Sequence, residues 1–311
     1  MNRVLITGGT GFLGSALAKQ MAQSGYEVVL MSRNPGRVRQ PEQGIHVERW
    51  DGRSAGGWGS LVNANTAIVN LAGESIGAPP FPWTAAKKQR ILQSRIDAGR
   101  AVVEAVRLAP QKPGVVIQSS GVNYYGLHGD ELLTEEAPPG TDFLSRVAIE
   151  WEAATAPVES YGVRRAVVRT SLVLSRHGGV LPYMALPFRL FAGGPIGSGK
   201  QYISWIHLAD EIGAIQFLIE NPAAKGAFNL AAPNPVTNAE FGRALAHALK
   251  RPYYFPTPGF AMRLAFGEMA ELLLLGGMKA MPQHLDQLGY HWKFTGVQAA
   301  LADVYDGRSV Q

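Results

Sequence analysis

Residues 4–14 read VLITGGTGFLG, and this stretch decides the fold. Its first three residues are the short apolar run of a buried parallel strand. Glycines follow at Gly8, Gly11 and Gly14, and a helical spacing of apolar residues then runs to Gly25. The first glycine permits a tight turn, the second lets backbone amides approach a pyrophosphate, and the third lets helix and strand pack closely. The pattern therefore predicts a dinucleotide site.

The residues that follow the second predicted strand, 27–31, decide between the two nicotinamide dinucleotides. An NAD site has an Asp or Glu there, about 20 residues beyond the glycines, to bind the ribose 2′-hydroxyl. The sequence has Ser32 and Arg33 instead, and a planar guanidinium suits a 2′-phosphate. We therefore predict NADP(H) as the cofactor. The predicted contacts in the glycine turn are Gly8, Thr10, Gly11, Phe12, Leu13 and Gly14.

Two further predicted strands end near this turn. The first, residues 45–50, precedes Asp51, which either meets the adenine or belongs to a turn before Gly52. The second, residues 67–71, opens into small residues that let a ribose lie close to the strand end. The predicted cofactor contacts at that end are Leu71, Ala72 and Gly73.

A long helix is predicted over residues 83–109, and its Arg90 and Arg95 face either the cofactor or solvent. A fifth strand, residues 114–118, then runs into Ser119 and Ser120. Ligands bind at the carboxyl ends of strands in such sheets, so this serine pair is a candidate site. Tyr124 and Tyr125 follow it, and their phenols either take part in the chemistry or pack the loop.

Strand and helix alternate to about residue 172, which is typical of a doubly wound α/β sheet of the Rossmann type. We place a cofactor domain at 1–172 and a smaller, mixed substrate and C-terminal region at 173–311. Strands near 203–232 are candidates to rejoin the sheet. In the second region we predict one helix over 260–275 and a strand over 290–294.

Composition narrows the function classes. The chain has 311 residues, of which 46% are hydrophobic and 17% charged, as in a globular enzyme. It has no cysteine, which excludes disulfides, thiolate metal sites and a cysteine nucleophile, and we predict no metal site. The net charge of +5 is modest and its arginines are scattered, so no nucleic-acid partner is expected.

The same features bear on location. The longest apolar run, Leu272 to Leu275, is far shorter than a membrane span, so no membrane partner is expected. The first strand begins at the N-terminus, so no signal peptide is expected. We therefore predict a cytoplasmic protein.

Several stretches together resemble an atypical extended short-chain dehydrogenase/reductase, of the epimerase-like subfamily within the NAD-dependent epimerase/dehydratase family. That subfamily ends in a small domain of unknown function, and the resemblance covers nearly the whole chain. The matching stretches are TGGTGFLG (7–14), SRNPG (32–36), NLAGESIG (70–77), YYG (124–126), WEAA (151–154), LPFRL (186–190), GGPIGSG (193–199), WIHLAD (205–210) and NPVTNAEF (234–241). The resemblance implies a Rossmann fold with NADP(H), in which Ser32 and Arg33 hold the 2′-phosphate. It further implies that Leu71 and Ala72 lie beside the cofactor and that Arg95 and Val173 reach it.

The chain departs from the wider superfamily at the residues that move protons. That superfamily uses Ser or Thr with a Tyr-x-x-x-Lys pair, in which the lysine lowers the tyrosine pKa. Aligning WEAA with the glutamate that follows this lysine puts Leu144 and Ala148 at the Tyr and Lys positions, and neither side chain can transfer a proton. Ser120 keeps the Ser/Thr role in this register. Tyr125 or Tyr124 is then the candidate acid or base.

Two hypotheses of different classes follow. The first is an NADP(H)-dependent, epimerase-like oxidoreductase that acts on an unidentified small molecule, with Ser120 bound to the reacting oxygen. The second is an NADP(H)-binding sensor or regulatory protein that has lost catalysis. An ordinary nucleotide-sugar epimerase is the weakest alternative because it needs the missing pair. A homodimer is compatible with both hypotheses.

Overall fold

The structure, a computed structural model, describes residues 1–37, 42–78 and 81–306. The main strands are β1 (Arg3–Thr7), β2 (Glu27–Ser32), β3 (Ile45–Arg49), β4 (Thr66–Asn70), β5 (Val115–Gly121), β7 (Arg164–Thr170) and β11 (Gly226–Leu230). They form one parallel sheet in the order β11-β7-β5-β4-β1-β2-β3. The order reverses at β1 and β4, as in a doubly wound sheet. The predicted fold class is confirmed.

Helices cover both faces of this sheet, and short strands pair outside it. The helices are α1 (Phe12–Gln23), α2 (Ala85–Leu108), α3 (Phe143–Thr155), α4 (Leu181–Arg189), α5 (Leu208–Glu220), α6 (Asn238–Leu249), α7 (Gly259–Phe266), α8 (Glu268–Ala270), α9 (Gln283–Gln287) and α10 (Val297–Asp306). The short strands are β6 (Leu132–Leu133), β8 (Leu172–Leu174), β9 (Tyr202–Ile203), β10 (Trp205–His207), β12 (Val236–Thr237) and β13 (Lys279–Ala280).

Alternate residues of each strand supply two separate cores. On one face, Val4 and Ile6 of β1 pack with side chains of α1 and α5. On the other face, Leu5 packs with side chains of α2, and α3 lies beside α2 on the same side. The sheet therefore lies between two helical layers, and ligands bind at the carboxyl edge of sheets of this kind.

The segment after residue 172 contributes to this sheet. β11 pairs in parallel with β7 at one edge, and α5 packs against α1. Residues 208–230 therefore belong to the same layered unit as the first strand. The predicted domain boundary at residue 172 itself stays a prediction.

Two predicted elements of the C-terminal region differ in the structure. The helix predicted over 260–275 breaks at Gly267, which has φ 57°, and continues as α8 and a π-helical turn over Glu271–Leu275. The strand predicted over 290–294 is wrong. The backbone amides of Lys293 and Phe294 donate to the buried carboxylate of Asp210, at 2.7 and 3.0 Å, so they do not take part in a strand ladder.

One buried acid in α5 forms no ion pair with a cation of the described residues. Glu211 is fully buried, and its Oε1 accepts a 2.7 Å hydrogen bond from the Thr170 hydroxyl. Its Oε2 has no partner among the described residues. Burial raises the pKa of Glu211 to about 8, against a lowering by the Thr170 bond. The folded chain therefore keeps this carboxyl protonated at neutral pH.

This proton makes stability depend on pH. Between the ordinary pKa of 4.5 and about 8, the unfolded chain has lost the Glu211 proton while the folded chain retains it, so stability falls as pH rises. Glu211→Gln removes this contribution. We therefore expect the melting temperature of the variant, minus that of the wild type, to increase from about pH 5 to about pH 8.

Thermal unfolding by circular dichroism across this range measures the difference. Glu150→Gln, at an exposed position of α3, is the matched control and should show a constant difference. A Glu211→Gln difference that stays constant with pH would contradict the protonated state.

Candidate cofactor groove and catalytic site

Close backbone contacts hold the glycine turn between β1 and α1. A Cβ on Gly14 would lie 2.5 Å from the carbonyl oxygen of Gly8 and 2.6 Å from Cα of Gly9, so a side chain there would push α1 away. Gly8 has φ 67°, in the left-handed region that favours glycine. Gly11 is the residue before α1, and as a glycine it has no side chain to cap the helix amides. The first amides of α1 are therefore available to an anion.

Other predicted contacts lie around this turn. A Cβ on Gly8 would lie 3.0 Å from the backbone of Leu71 and Ala72, so the end of β4 adjoins the turn. Phe12 packs against Gly178 and Gly179, which belong to the loop that follows Val173 and β8. The structure thus brings three separate segments of the chain together at the carboxyl edge of β1 and β4.

Ser32 and Arg33 lie at the end of β2, the strand next to β1. Ser32 is buried, and its hydroxyl accepts a 3.2 Å hydrogen bond from the amide of Asn34. Arg33 is exposed, with its stem beside Gly52. At this corner, the long, charged side chain of Arg33 and the hydroxyl of Ser32 lie next to the glycine turn. This combination suits a 2′-phosphate.

Asp51 follows β3 at the far side of this corner. Its carboxylate accepts bonds from the amides of Arg53 and Ser54 at 2.8 and 2.9 Å, and from the Ser54 hydroxyl at 2.7 Å. These bonds are those of an Asx turn, so Asp51 is a turn residue here. Its contact with adenine stays a prediction.

Arg95 of α2 faces inward rather than toward solvent. Its guanidinium is buried and stacks on the Trp151 ring, with Cζ 4.6 Å from the centroid. Its Nη1 donates to the carbonyls of Ile91 and Glu74 at 2.8 and 3.0 Å, and Cζ would lie 2.9 Å from a Cβ on Gly73. Its Nε has no partner among the described residues.

Arg95 therefore presents a charged group at the end of β4. Burial lowers its pKa to about 10, against the raising effect of Glu74, so the guanidinium stays charged at neutral pH. Neighbouring cations also hold the Glu74 side chain, since Lys87 and Arg90 lie 3.4 and 3.2 Å from its Oε1. Burial raises the pKa of Glu74, but these cations outweigh that effect and lower it. The loop after β4 is thus fixed to α2 by charge.

Ser120 belongs to a buried charged network. Its hydroxyl donates to Oε1 of Glu152 at 2.7 Å. Arg169 of β7 holds both oxygens of that carboxylate, through Nε at 2.9 Å and Nη2 at 3.0 Å, in the bidentate geometry of strong pairs. The Ser120 proton is therefore directed to Glu152, on the α3 side of the sheet.

The two tyrosines after β5 have different environments. Tyr125 is fully buried, and its hydroxyl donates to Asn229 at 2.7 Å and accepts from Arg169 at 3.0 Å. Burial raises the Tyr125 pKa to about 12, although Arg169 opposes this. Tyr124 is partly exposed, and its ring stacks on the Arg169 guanidinium, with Cζ 3.5 Å from the centroid.

Apolar packing surrounds the position where the superfamily has its tyrosine. Leu144 is buried in a cluster with Trp83, Met269 and Leu272. Ala148, one turn further along α3, is also buried. An ion pair between Lys88 of α2 and Glu268 of α8 lies at the same junction. The C-terminal segment therefore covers this part of α3 with apolar side chains.

A cleft of about 680 Å³ opens beyond the tyrosines. Its walls are the loop 127–130, the segment 198–202 and residues 275–277. His128 joins this cleft to the site, since its Nε2 lies 3.0 Å from the carbonyl of Tyr125. A small molecule of moderate size fits a volume of this order.

In the sequence analysis, Glu152 served only to align the chain with the superfamily's Tyr and Lys positions. It was not predicted to be part of the site. The signal available was the pairing of an acid on α3 with Arg169 at a strand end. The roles of Asn229 and Glu135 had no such signal. Glu135 accepts from the amide of Asn229 at 2.9 Å, a contact between positions 94 residues apart.

The sequence profile of the NAD dependent epimerase/dehydratase family matches residues 4–231, which is more than half of the chain. The chain belongs to this family. A second profile, a domain of unknown function (DUF1731), matches residues 257–304. These matches confirm the predicted resemblance, including the small C-terminal domain.

Relatives from this epimerase family align with the chain over nearly their full length. The epimerase family protein SDR39U1 of Homo sapiens is 38% identical, over 97% of this chain and 99% of that protein. YfhF of Bacillus subtilis is 36% identical, over 98% of each chain. A crystal structure of human SDR39U1 with NADPH matches with a TM-score of 0.86 and 36% identity, covering 98% of this chain and 99% of that one. The NADPH in that structure agrees with the cofactor predicted from Ser32 and Arg33.

Across residues 1–37, 42–78 and 81–306, no helix is both long and apolar enough to cross a membrane.

The charged network yields a prediction on stability. Arg169→Met leaves the mostly buried Glu152 carboxylate without its cation, and removing one partner of a buried pair costs about 3 kcal/mol or more. We expect the free energy of unfolding to fall by that amount in urea titrations. Lys19→Met is the control, because Lys19 and Glu42 form a solvent-exposed pair at 3.6 Å and should change stability by less than about 0.5 kcal/mol. Equal losses in both variants would contradict the network's role.

Proposed function

We propose that this chain is an NADP(H)-dependent oxidoreductase of the epimerase family that acts on a small molecule with an altered proton-transfer set. The observation that carries the proposal is the groove itself. Its uncapped helix N-terminus suits a pyrophosphate, and Ser32 with Arg33 at the end of β2 suits a 2′-phosphate. The NADPH bound to the human relative supports the same cofactor.

Different residues of the chain bind different parts of the cofactor. The α1 amides bind the pyrophosphate, and Arg33 binds the 2′-phosphate. Leu71 and Ala72 lie beside the glycine turn, and the charged Arg95 lies against Gly73, with a buried Nε that has no partner among the described residues. We expect Val173 to line the same groove. Arg95 thus supplies a positive charge that the lysine position, occupied by Ala148, does not. NADPH, when bound, supplies a hydride.

Tyr124 is the residue we propose as the proton donor. Its hydroxyl has no hydrogen bond to any described residue, whereas the Tyr125 hydroxyl is buried and bonded on both sides. Ser120 and Ser119 lie at the end of β5, where Ser120 donates its proton to Glu152. Because its proton is directed to Glu152, Ser120 does not donate to the reacting carbonyl oxygen as the sequence suggested, and Tyr124 donates to that oxygen instead.

The cofactor half is tested by titration of NADPH and NADH. Arg33→Ala removes a charge-assisted contact to the 2′-phosphate, so we expect NADPH binding to weaken by about 1.5–3 kcal/mol and NADH binding to change little. Calorimetry measures both. Arg107→Ala, an exposed arginine at the end of α2, is the control and should leave both affinities unchanged. An Arg33→Ala variant that keeps the wild-type preference would refute the 2′-phosphate assignment.

The chemical half is tested by NADPH oxidation against a panel of aldehydes and ketones. Loss of a general acid slows a reaction by about a hundredfold or more, so we expect that loss in kcat for Tyr124→Phe at unchanged NADPH affinity. Tyr161→Phe, at a partly buried tyrosine beside α2, is the control and should retain the rate. A Tyr124→Phe variant as active as the wild type would exclude Tyr124 as donor.

A second candidate, an NADP(H)-binding sensor without catalysis, is favoured by one observation. Leu144 and Ala148 stand at the proton-transfer positions, and Trp83, Met269 and Leu272 pack over Leu144. Tight NADPH binding without turnover of any carbonyl in the panel would favour this sensor over the oxidoreductase. The cytoplasmic location and the homodimer remain predictions for either function.

A further inference from the structure

One face of α4 presents apolar side chains to solvent. Leu181, Ala185 and Phe188 of this helix are buried, while Tyr183, Leu186 and Leu190 follow the opposite stripe, at helical spacing. Tyr183 is 73% exposed and Leu190 67% exposed. Isolated exposed apolar residues are common, but a continuous stripe on one helix is a feature that requires an explanation.

The stripe continues onto two neighbouring segments. Phe191 follows α4, and the Arg251 guanidinium stacks on its ring, with Cζ 4.7 Å from the centroid. Tyr254 and Phe255 adjoin α4's end, since their amides donate to the carbonyl of Gly193 at 2.9 and 3.1 Å. We call this surface the α4 patch; its members are Tyr183, Leu186, Leu190, Phe191, Tyr254 and Phe255.

The segments that form the α4 patch carry charges of one sign, and the nearest acids on a packed element are Asp303 and Asp306 of α10, whose Tyr305 ring lies 5.9 Å from the Arg189 Cζ. Residues 177–209 contain no Asp or Glu, and neither do residues 241–267. Arg189, Lys250 and Arg251 are exposed at the patch, and none of them forms an ion pair with a described residue. Their charged groups are therefore accessible to an external anion.

These observations discriminate among occupants. A second copy seated on the same face would bring these cations together, which is unfavourable across a two-fold axis. Side chains as exposed as Tyr254, at 77%, protrude from the surface and do not line a groove for a peptide. Protruding aromatic and leucine side chains beside lysine and arginine are the composition of a surface that lies on an anionic bilayer.

We propose that the α4 patch docks this chain onto an anionic lipid surface. The apolar side chains would enter the headgroup region, and Arg189, Lys250 and Arg251 would bind lipid phosphates. Such docking departs from the expectation, drawn from the sequence, that there is no membrane partner. That expectation rested on the lack of a spanning segment, which surface docking does not need. The proposal is independent of the proposed oxidoreductase activity.

Vesicle flotation of the full chain tests the proposal. We expect the wild type to float with vesicles of equal parts phosphatidylglycerol and phosphatidylcholine, and to remain behind with phosphatidylcholine alone. Leu186→Ser with Leu190→Ser should weaken binding by about tenfold or more, since each leucine loses apolar burial. Lys250→Gln with Arg251→Gln should weaken binding most at low salt, where charge attraction is strongest.

Matched control variants distinguish binding through the α4 patch from nonspecific adsorption to vesicles. Leu108→Ser, at an exposed leucine that ends α2, and Arg107→Gln beside it should both bind vesicles like the wild type. Unchanged melting temperature and NADPH affinity in the patch variants would show that they fold.

Three results would overturn the proposal. The first is no flotation of the wild type with anionic vesicles, and the second is equal loss in patch and control variants. The third is a dimer by light scattering that the leucine pair of substitutions dissociates, because the patch would then bind a second copy.

Discussion

The close approach of α1 to β1 is the constraint on which the rest depends. With a Cβ on Gly14, the helix would meet the Gly8 carbonyl at 2.5 Å and would have to move outward. Its N-terminal amides would then leave the groove that the ends of β1 and β4 form. The same contact allows Phe12 to pack under the loop at 178–179, which links the turn to the segment after β8. The lack of a side chain at Gly14 therefore allows α1 to take the position on which both the cofactor groove and the contact with the loop at 178–179 depend.

Charge, rather than a proton-transfer pair, organises the other half of the site. Arg169 connects β7 to α3 through Glu152 and to the loop after β5 through Tyr125. Burial lowers the Arg169 pKa, but the Glu152 carboxylate outweighs it and raises that pKa, so the charge is permanent. A buried pair of this kind is costly to break and fixes local geometry. Ser120 and Tyr125, both candidates from the sequence, serve this network with their hydroxyls.

The C-terminal segment is joined to the sheet by buried polar contacts. Asp210 binds the amides of Lys293 and Phe294, and Asn229 of β11 binds the carbonyl of Met281 at 2.9 Å. Apolar side chains of the same segment cover Leu144. These contacts tie the segment that the DUF1731 profile matches to the layer that carries the groove. The surroundings of the candidate site therefore depend on residues far along the chain.

The sequence by itself determined the parallel sheet, the glycine turn and the Ser32–Arg33 corner, because short-range patterns of apolar, glycine and charged residues encode them. The sequence also showed that Leu144 and Ala148 occupy the positions of the superfamily's tyrosine and lysine. The tertiary structure alone decided that Ser120 donates to Glu152, that Arg95 lies against Gly73, and that residues 290–294 bind Asp210. It also gathered the α4 patch from segments about 60 residues apart in the chain. Contacts between distant positions carry no local pattern, because burial and side-chain direction are set by packing after the chain has folded.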